Sequence, residues 1–289
     1  MRGFALAILL IAAVAGPARA SEIAPGAGTL RTLTSEAQFI VKIDSVSVEA
    51  APEVADVKEL PLTFTTYKAT VRKVVTGDFK PDETIRIAIA NHLAIKTSDL
   101  LENALIFLTP ATTDLFNVSN LPRGETVFVV VGGRLGVVAN ADDATLAAVQ
   151  RYVTRLDGPA DSVGWAARHL GSADPFLQRS AIMDLYLQHD RAGALALLSH
   201  AVQADTIHEE NRGFAMEALE ATGKSTAKTP LKAVAEDAGE STMLRERAVE
   251  ALSTLPGGAS QISEWRKSKD ALLSEAAERV VTETSQGPK

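Results

Sequence analysis

The sequence predicts an α+β protein of two domains, a small β-barrel followed by a stack of helical repeats. Three observations carry this. Up to residue 157, short β-branched runs alternate with turn residues. Beyond Pro159, apolar residues recur at helical spacing between helix-capping signals. Within that second half one motif returns in phase every 33 residues. It reads Arg245-Glu-Arg-Ala248-Val-Glu-Ala251-Leu252, then, going back, Arg212-Gly-Phe-Ala215-Met-Glu-Ala218-Leu219 and Arg179-Ser-Ala-Ile182-Met-Asp-Leu185-Tyr186.

The first twenty residues stand apart. Met1-Arg2-Gly3 precedes an apolar run from Phe4 to Ala15, and Ala18-Arg19-Ala20 ends it. A positive start, a short apolar stretch and a small-x-small ending form a secretory signal peptide, too short for the roughly 20 apolar residues that span a bilayer. Cleavage after Ala20 and a periplasmic or secreted location are the expectation, with Ser21 to Gly28 a loose lead-in. The 289 residues carry a formal charge of −7. Losing Arg2 and Arg19 with the leader takes the 29 basic residues to 27 against 36 acidic ones, which argues against nucleic acid. With no cysteine, disulfides, thiolate catalysis and Cys-ligated zinc are excluded.

The β-rich part is expected over 29–157. Gln38–Val48 is partly alternating, with Phe39, Val41 and Ile43 on one face; Leu62–Val75 follows an acidic loop. Thr76-Gly77-Asp78 supplies turn chemistry, and Thr84–Ala90 points Ile85, Ile87 and Ile89 inward. Ala104–Thr109 and Thr126–Val131 are compact apolar runs, and Gly132-Gly133 is expected to open a hairpin into Leu135–Val138. A helix capped by Asp142 or Asp143, with Leu146, Val149, Val153 and Leu156 as its stripe, closes this part before Gly158-Pro159.

The helical part is expected over 160–289, in units of about 174–206, 207–239 and 240–272 with a capping helix after them. Asp174-Pro175 is a strong start, since Asp caps and Pro at the first helical position loses no intrahelical bond. Helix pairs then read 176–188 with 191–203, 209–221 with 229–238, and 243–254 with 261–269. Ala215, Ala218, Ala248 and Ala251 allow close approach, while Leu219 and Leu252 fill the seams.

Two resemblances follow from these residues. The order Gln38–Val48, Tyr67–Asp78 with its Val-Val-x-Gly-Asp turn, Thr84–Ala90 and Ala104–Leu108 resembles the netrin/metalloproteinase-inhibitor type of OB-like barrel. That family's inhibitors chelate a protease zinc through an N-terminal Cys, which this chain lacks, so the resemblance implies a fold rather than that mechanism. Asp174-Pro175…Arg179 and Arg245–Leu252 resemble short HEAT-like repeats.

Functional signals are sparse. There is no His-Glu-x-x-His, nucleophile elbow, phosphate loop or dinucleotide fingerprint, so no catalytic, cofactor or metal residue is nominated. His92, His169, His189, His200 and His208 are scattered, and Asp82-Glu83 and Asp142-Asp143 read as turn or cap acids. The recurring arginines read as ties between repeats, or else as a ligand-facing ladder. Trp165 and Trp265 are the candidate interaction residues, because Trp concentrates in binding hot spots; the plainer reading is half-buried packing. The expectation is an exported, non-enzymatic protein that presents its helical stack to another protein. The alternatives are a hydrolytic site at the domain junction or an inhibitor-like use of the barrel.

Overall fold

Five strands close on themselves and a helical stack is packed against one side of them. The computed structural model describes residues 28–50, 63–90, 101–156 and 162–286. The leader, the acidic loop after Ala50, His92 and the Gly158-Pro159 boundary lie outside the described residues.

A short helix α1, Leu30–Glu36, precedes the strands β1 (Phe39–Ala50), β2 (Phe64–Thr76), β3 (Thr84–Ala90) and β4 (Leu105–Pro110). Helix α2 (Thr113–Val118), strand β5 (Phe128–Val130), a 3-10 turn at Gly133–Gly136, β6 (Val137–Val138) and helix α3 (Asp143–Leu156) follow. The order β1-β2-β3-β5-β4 returns to β1 because the start of β1 pairs with β4, Phe39 facing Leu108 and Lys42 facing Leu105. Closure leaves no free edge among these five strands. Val41, Ile43, Ile85, Ile87, Ile106 and Leu108 fill the interior. Phe39, Phe79 and Phe128 pack with ring centroids 4.7–5.4 Å apart, two of the three pairs edge to face. Gly77 (φ +108°) is required beside them, since a Cβ there would lie 2.4 Å from Phe39 Cδ1.

Strand β4 explains its own unbroken apolar run. Ile106 and Leu108 point into the barrel, while Leu105 and Phe107 point outward into the core of the helices. Burial on both faces removes the need for alternation. The expected hairpin after Gly132-Gly133 does not form. Both glycines have positive φ and lead into the 3-10 turn, which carries β6 away from β5 to pair with β4.

Helices α4 (Ser162–His169), α5 (Pro175–Leu187), α6 (Ala194–Gln203), α7 (Glu209–Ala221), α8 (Lys228–Glu236), α9 (Thr242–Thr254), α10 (Gly258–Trp265) and α11 (Ala271–Gln286) make the second part. In the stack they form two layers: α5, α7, α9 and α11 pack side by side, backed by α6, α8 and α10. Ala215, Ala218, Ala248, Ala251, Leu219 and Leu252 are all buried, as the repeat requires. Helix α6 begins three residues later than its periodicity suggests because Gly193 enters it in the left-handed conformation.

The two parts share one core. Leu30, Leu33, Leu105, Phe107, Tyr152 and Trp165 belong to the same buried cluster as the interior of the stack. Polar groups hold the joint as well. The Leu30 amide donates to Ser180 Oγ at 3.0 Å, and Arg31 Nε and Tyr152 Oη donate to Asp184 Oδ1 at 3.2 and 3.1 Å. Asp174 accepts from the Phe176 amide as a cap and from Thr145 Oγ1 of α3 at 2.5 Å.

Candidate functional site

In the row α5, α7, α9 and α11, here called the inner layer, the first three helices each hold a buried polar residue in a slot at their fourth position. In α7 the slot holds Arg212, whose Nε donates to the Val202 carbonyl at 2.9 Å and whose terminal nitrogens bind Glu240. In α9 it holds Arg245, whose Nε donates to the Ala235 carbonyl at 2.9 Å and whose Nη2 binds Asp270. The two arginines therefore do the same work one layer apart, as the reading of inter-repeat ties requires. Asp270 is held below the usual carboxylate range by the Arg245 hydrogen bond.

Arg179 is not in that slot. Counting from the cap Asp174, the fourth residue of α5 is Gln178. Its amide nitrogen donates to the Ser172 and Thr206 carbonyls at 2.7 and 3.1 Å. Its Oε1 accepts from the His208 amide and from Asn211 Nδ2. Arg179, one position on, is half-buried outside the slot, its guanidinium carbon 4.4 Å from the centre of the buried Phe214 ring. Among the described residues its Nε, itself buried, has no hydrogen-bond partner. Burial pushes the guanidinium below its ordinary value, opposed by Glu217 and Glu210 and reinforced by Arg247.

Arg247 reaches α7 from the other side. Its Nη1 lies across Gly213, where a Cβ would come within 2.6 Å of it, and its Nη2 pairs with Glu217 at 3.1 Å. Neighbouring residues of α7 are thus covered by arginines from α5 and from α9. Met243, four residues before Arg247, is 45% exposed, and Leu187, eight after Arg179, is 47% exposed. That spacing keeps each within the helical stripe of its arginine. Beyond this, Arg279 of α11 meets Glu246 and Glu250 at 3.3 and 3.4 Å. Glu220 sits among the acids: burial raises its pKa, and Glu217 and Glu250 add to the rise.

Trp165 and Trp265 are not on a surface. Trp165 is 1% exposed, packed edge-on to Tyr152 at 4.9 Å and against His169 at 4.5 Å. Trp265 is 4% exposed, with Nε1 donating to Glu236. Both indoles are core residues, because the apolar ring completes an inter-helix seam in each case. Asp142 caps α3 by accepting the Thr145 amide, and Asp143 pairs with Lys73 at 2.7 Å. Glu83 accepts the Lys80 amide in a turn. Among the described residues no group of three or more His, Asp or Glu could hold a metal ion. At the junction Arg31, Tyr152 and Asp184 converge, but Asp184 is 1% exposed and its bonds tie α1 and α3 to α5. A shallow groove of about 420 Å³ runs between β2 and α3, lined by Lys73, Val75, Asp143, Leu146 and Arg151.

Phe214, Gly213 and Arg247 escaped sequence reasoning. The one available signal is Gly213, since a mid-helix glycine costs about 1 kcal/mol against alanine and asks for a close approach. Comparison with known proteins returns no matching family model, curated protein or solved structure.

Proposed function

We propose that this chain is an exported, non-enzymatic binding protein whose inner-layer face, centred on α7, docks another protein. The observation that supports it most directly is Arg179 lying over Phe214, with Arg247 on the neighbouring Gly213, and with Leu187 and Met243 exposed on the same two helices as these arginines. Arginine, methionine and aromatic side chains are the residues enriched at protein interfaces. On this reading the stack is of the short HEAT-like kind and the barrel is an OB-like domain of the netrin type. The barrel side anchors the first layer through α1, Ser180 and Asp184. Export rests on the leader pattern and is tested by N-terminal sequencing of the secreted or periplasmic form, which should begin at Ser21.

The binding reading is tested by placing a photo-crosslinking residue at Met243, at Leu187 and, on the barrel, at the exposed Val48. A discrete protein adduct from the two stack positions and not from Val48 is expected. Equal adducts from all three, or none from the stack, would sink it.

A further inference from the structure

We propose that the groove between β2 and α3 receives an extended, apolar segment of a partner protein, and that Arg151 meets a carboxylate at one end of that segment. This surface is separate from the α7 face and stands or falls without it. One wall of the groove is a complete face of α3: Asp143, Leu146, Ala147, Gln150 and Arg151 recur at the spacing of two helical turns. Val75 of β2 lies opposite, half-buried like Ala147. Leu146 and Val75 are anchored in or against the shared core, so the apolar floor is formed in advance. Ala147 keeps it open, because its side chain ends at Cβ.

The two ends of the groove differ in charge. At the first, Lys73 pairs with Asp143 at 2.7 Å, Arg72 pairs with Asp44 at 2.9 Å, and Asp142 accepts the Thr145 amide as the cap. Lys42 donates to the Ala141 carbonyl at 2.6 Å. Lys73 above all, then Lys42 and Arg72, hold Asp143 below the usual carboxylate range, so its charge is already answered. Arg151 stands about 12 Å further along the helix, exposed and in no ion pair among the described residues. An acidic chain of formal charge −7 thus sets an unanswered guanidinium beside an apolar floor. A guanidinium fork suits a carboxylate, and the length of floor suits about four residues of extended chain. The groove is too shallow to enclose a small molecule as binding cavities do, whereas a segment held by its own protein needs only to lie along it. Bare phosphate would gain nothing from Val75, Leu146 and Ala147.

The test titrates the 15N-labelled full chain with the acetylated, amidated peptide Ala-Leu-Ala-Leu-Glu. The same peptide with Gln for Glu, the same with Ser for both Leu, and inorganic phosphate serve as comparisons. The amide resonances of Leu146, Ala147 and Arg151 should shift with the first peptide and little with the others. Arg151→Gln, which breaks no ion pair among the described residues, should weaken that peptide by about tenfold. Ala147→Trp should block it by filling the groove, while Lys267→Gln, the same loss of charge beyond α10, should leave affinity unchanged. An equal response to the Gln peptide or to phosphate, full affinity in Arg151→Gln, or an equal loss in Lys267→Gln would overturn the inference.

Discussion

The second and third layers of the stack are joined by arginines, the first by a glutamine. Arg212 and Arg245 are 5% and 7% exposed, and each bridges a carbonyl behind it to a carboxylate beyond it. Gln178, 2% exposed, bridges carbonyls of Ser172 and Thr206 to donors on α7. The slot therefore selects for reach and hydrogen-bonding capacity, and charge is optional in it. Because a neutral residue serves in the first layer, the neighbouring arginine lies half-buried over Phe214 instead. What looks in the sequence like a third copy of a structural tie is a different kind of residue in space.

The sharpest way to break this comparison is to cut the arginine joint. Arg212→Ala leaves Glu240 facing a seam without its cation and the Val202 carbonyl without its donor. A loss of about 3–5 kcal/mol in urea unfolding is expected, as for other buried pairs deprived of one partner. Gln178→Ala should cost less, about 2 kcal/mol, because only neutral partners are stranded. Arg179→Ala should cost well under either. A loss at Arg179 matching that at Arg212 would show the two positions to be equivalent after all.

How far this was legible follows from the same residues. Helix starts at Asp174-Pro175 and Asp142, the inward isoleucines of β3 and the small-residue seams at Ala215 and Ala248 are local signals, and each holds. Periodicity reports which residues face inward, but it cannot separate Gln178 from Arg179, adjacent polar residues on one helix. Their difference depends on where the Ser172 and Thr206 carbonyls lie, which sequence does not disclose. Helix α1 was likewise silent: seven residues form it only because Leu30 and Leu33 are buried against α5 and the core. The Gly132-Gly133 pair was read as a hairpin because positive φ is what both a hairpin and a 3-10 crossing need.

A joint of a third kind sits between barrel and stack, and it tests whether the parts are coupled. Arg31, about half exposed, and Tyr152 share the buried Asp184. Arg31→Ala removes one charged donor from a carboxylate that keeps its tyrosine, so about 1–2 kcal/mol is expected. Both parts should respond together, the infrared β-sheet band of the barrel and the near-ultraviolet signals of Trp165 and Trp265 in the stack being lost in one transition. Two separated transitions in the parent would mean that the shared core does not couple them.

The smallest effect has the opposite sign. Glu220 lies beside Glu217 and Glu250, and burial raises its pKa in the folded state above that of the unfolded chain. A carboxyl with a raised folded pKa binds its proton more readily when folded, so the stability it contributes is present at low pH and lost as pH rises through the folded value. Above that value the charged form is the penalty. Glu220→Gln should therefore stabilise the protein at neutral pH, by about 0.5 kcal/mol given the partial exposure of the site. The gain should fade as pH falls through the raised folded value and be gone by about 4, where glutamate in the unfolded chain is protonated as well. A gain that stayed constant from pH 4 to pH 8 would place its origin in packing rather than in the three acids of the inner face.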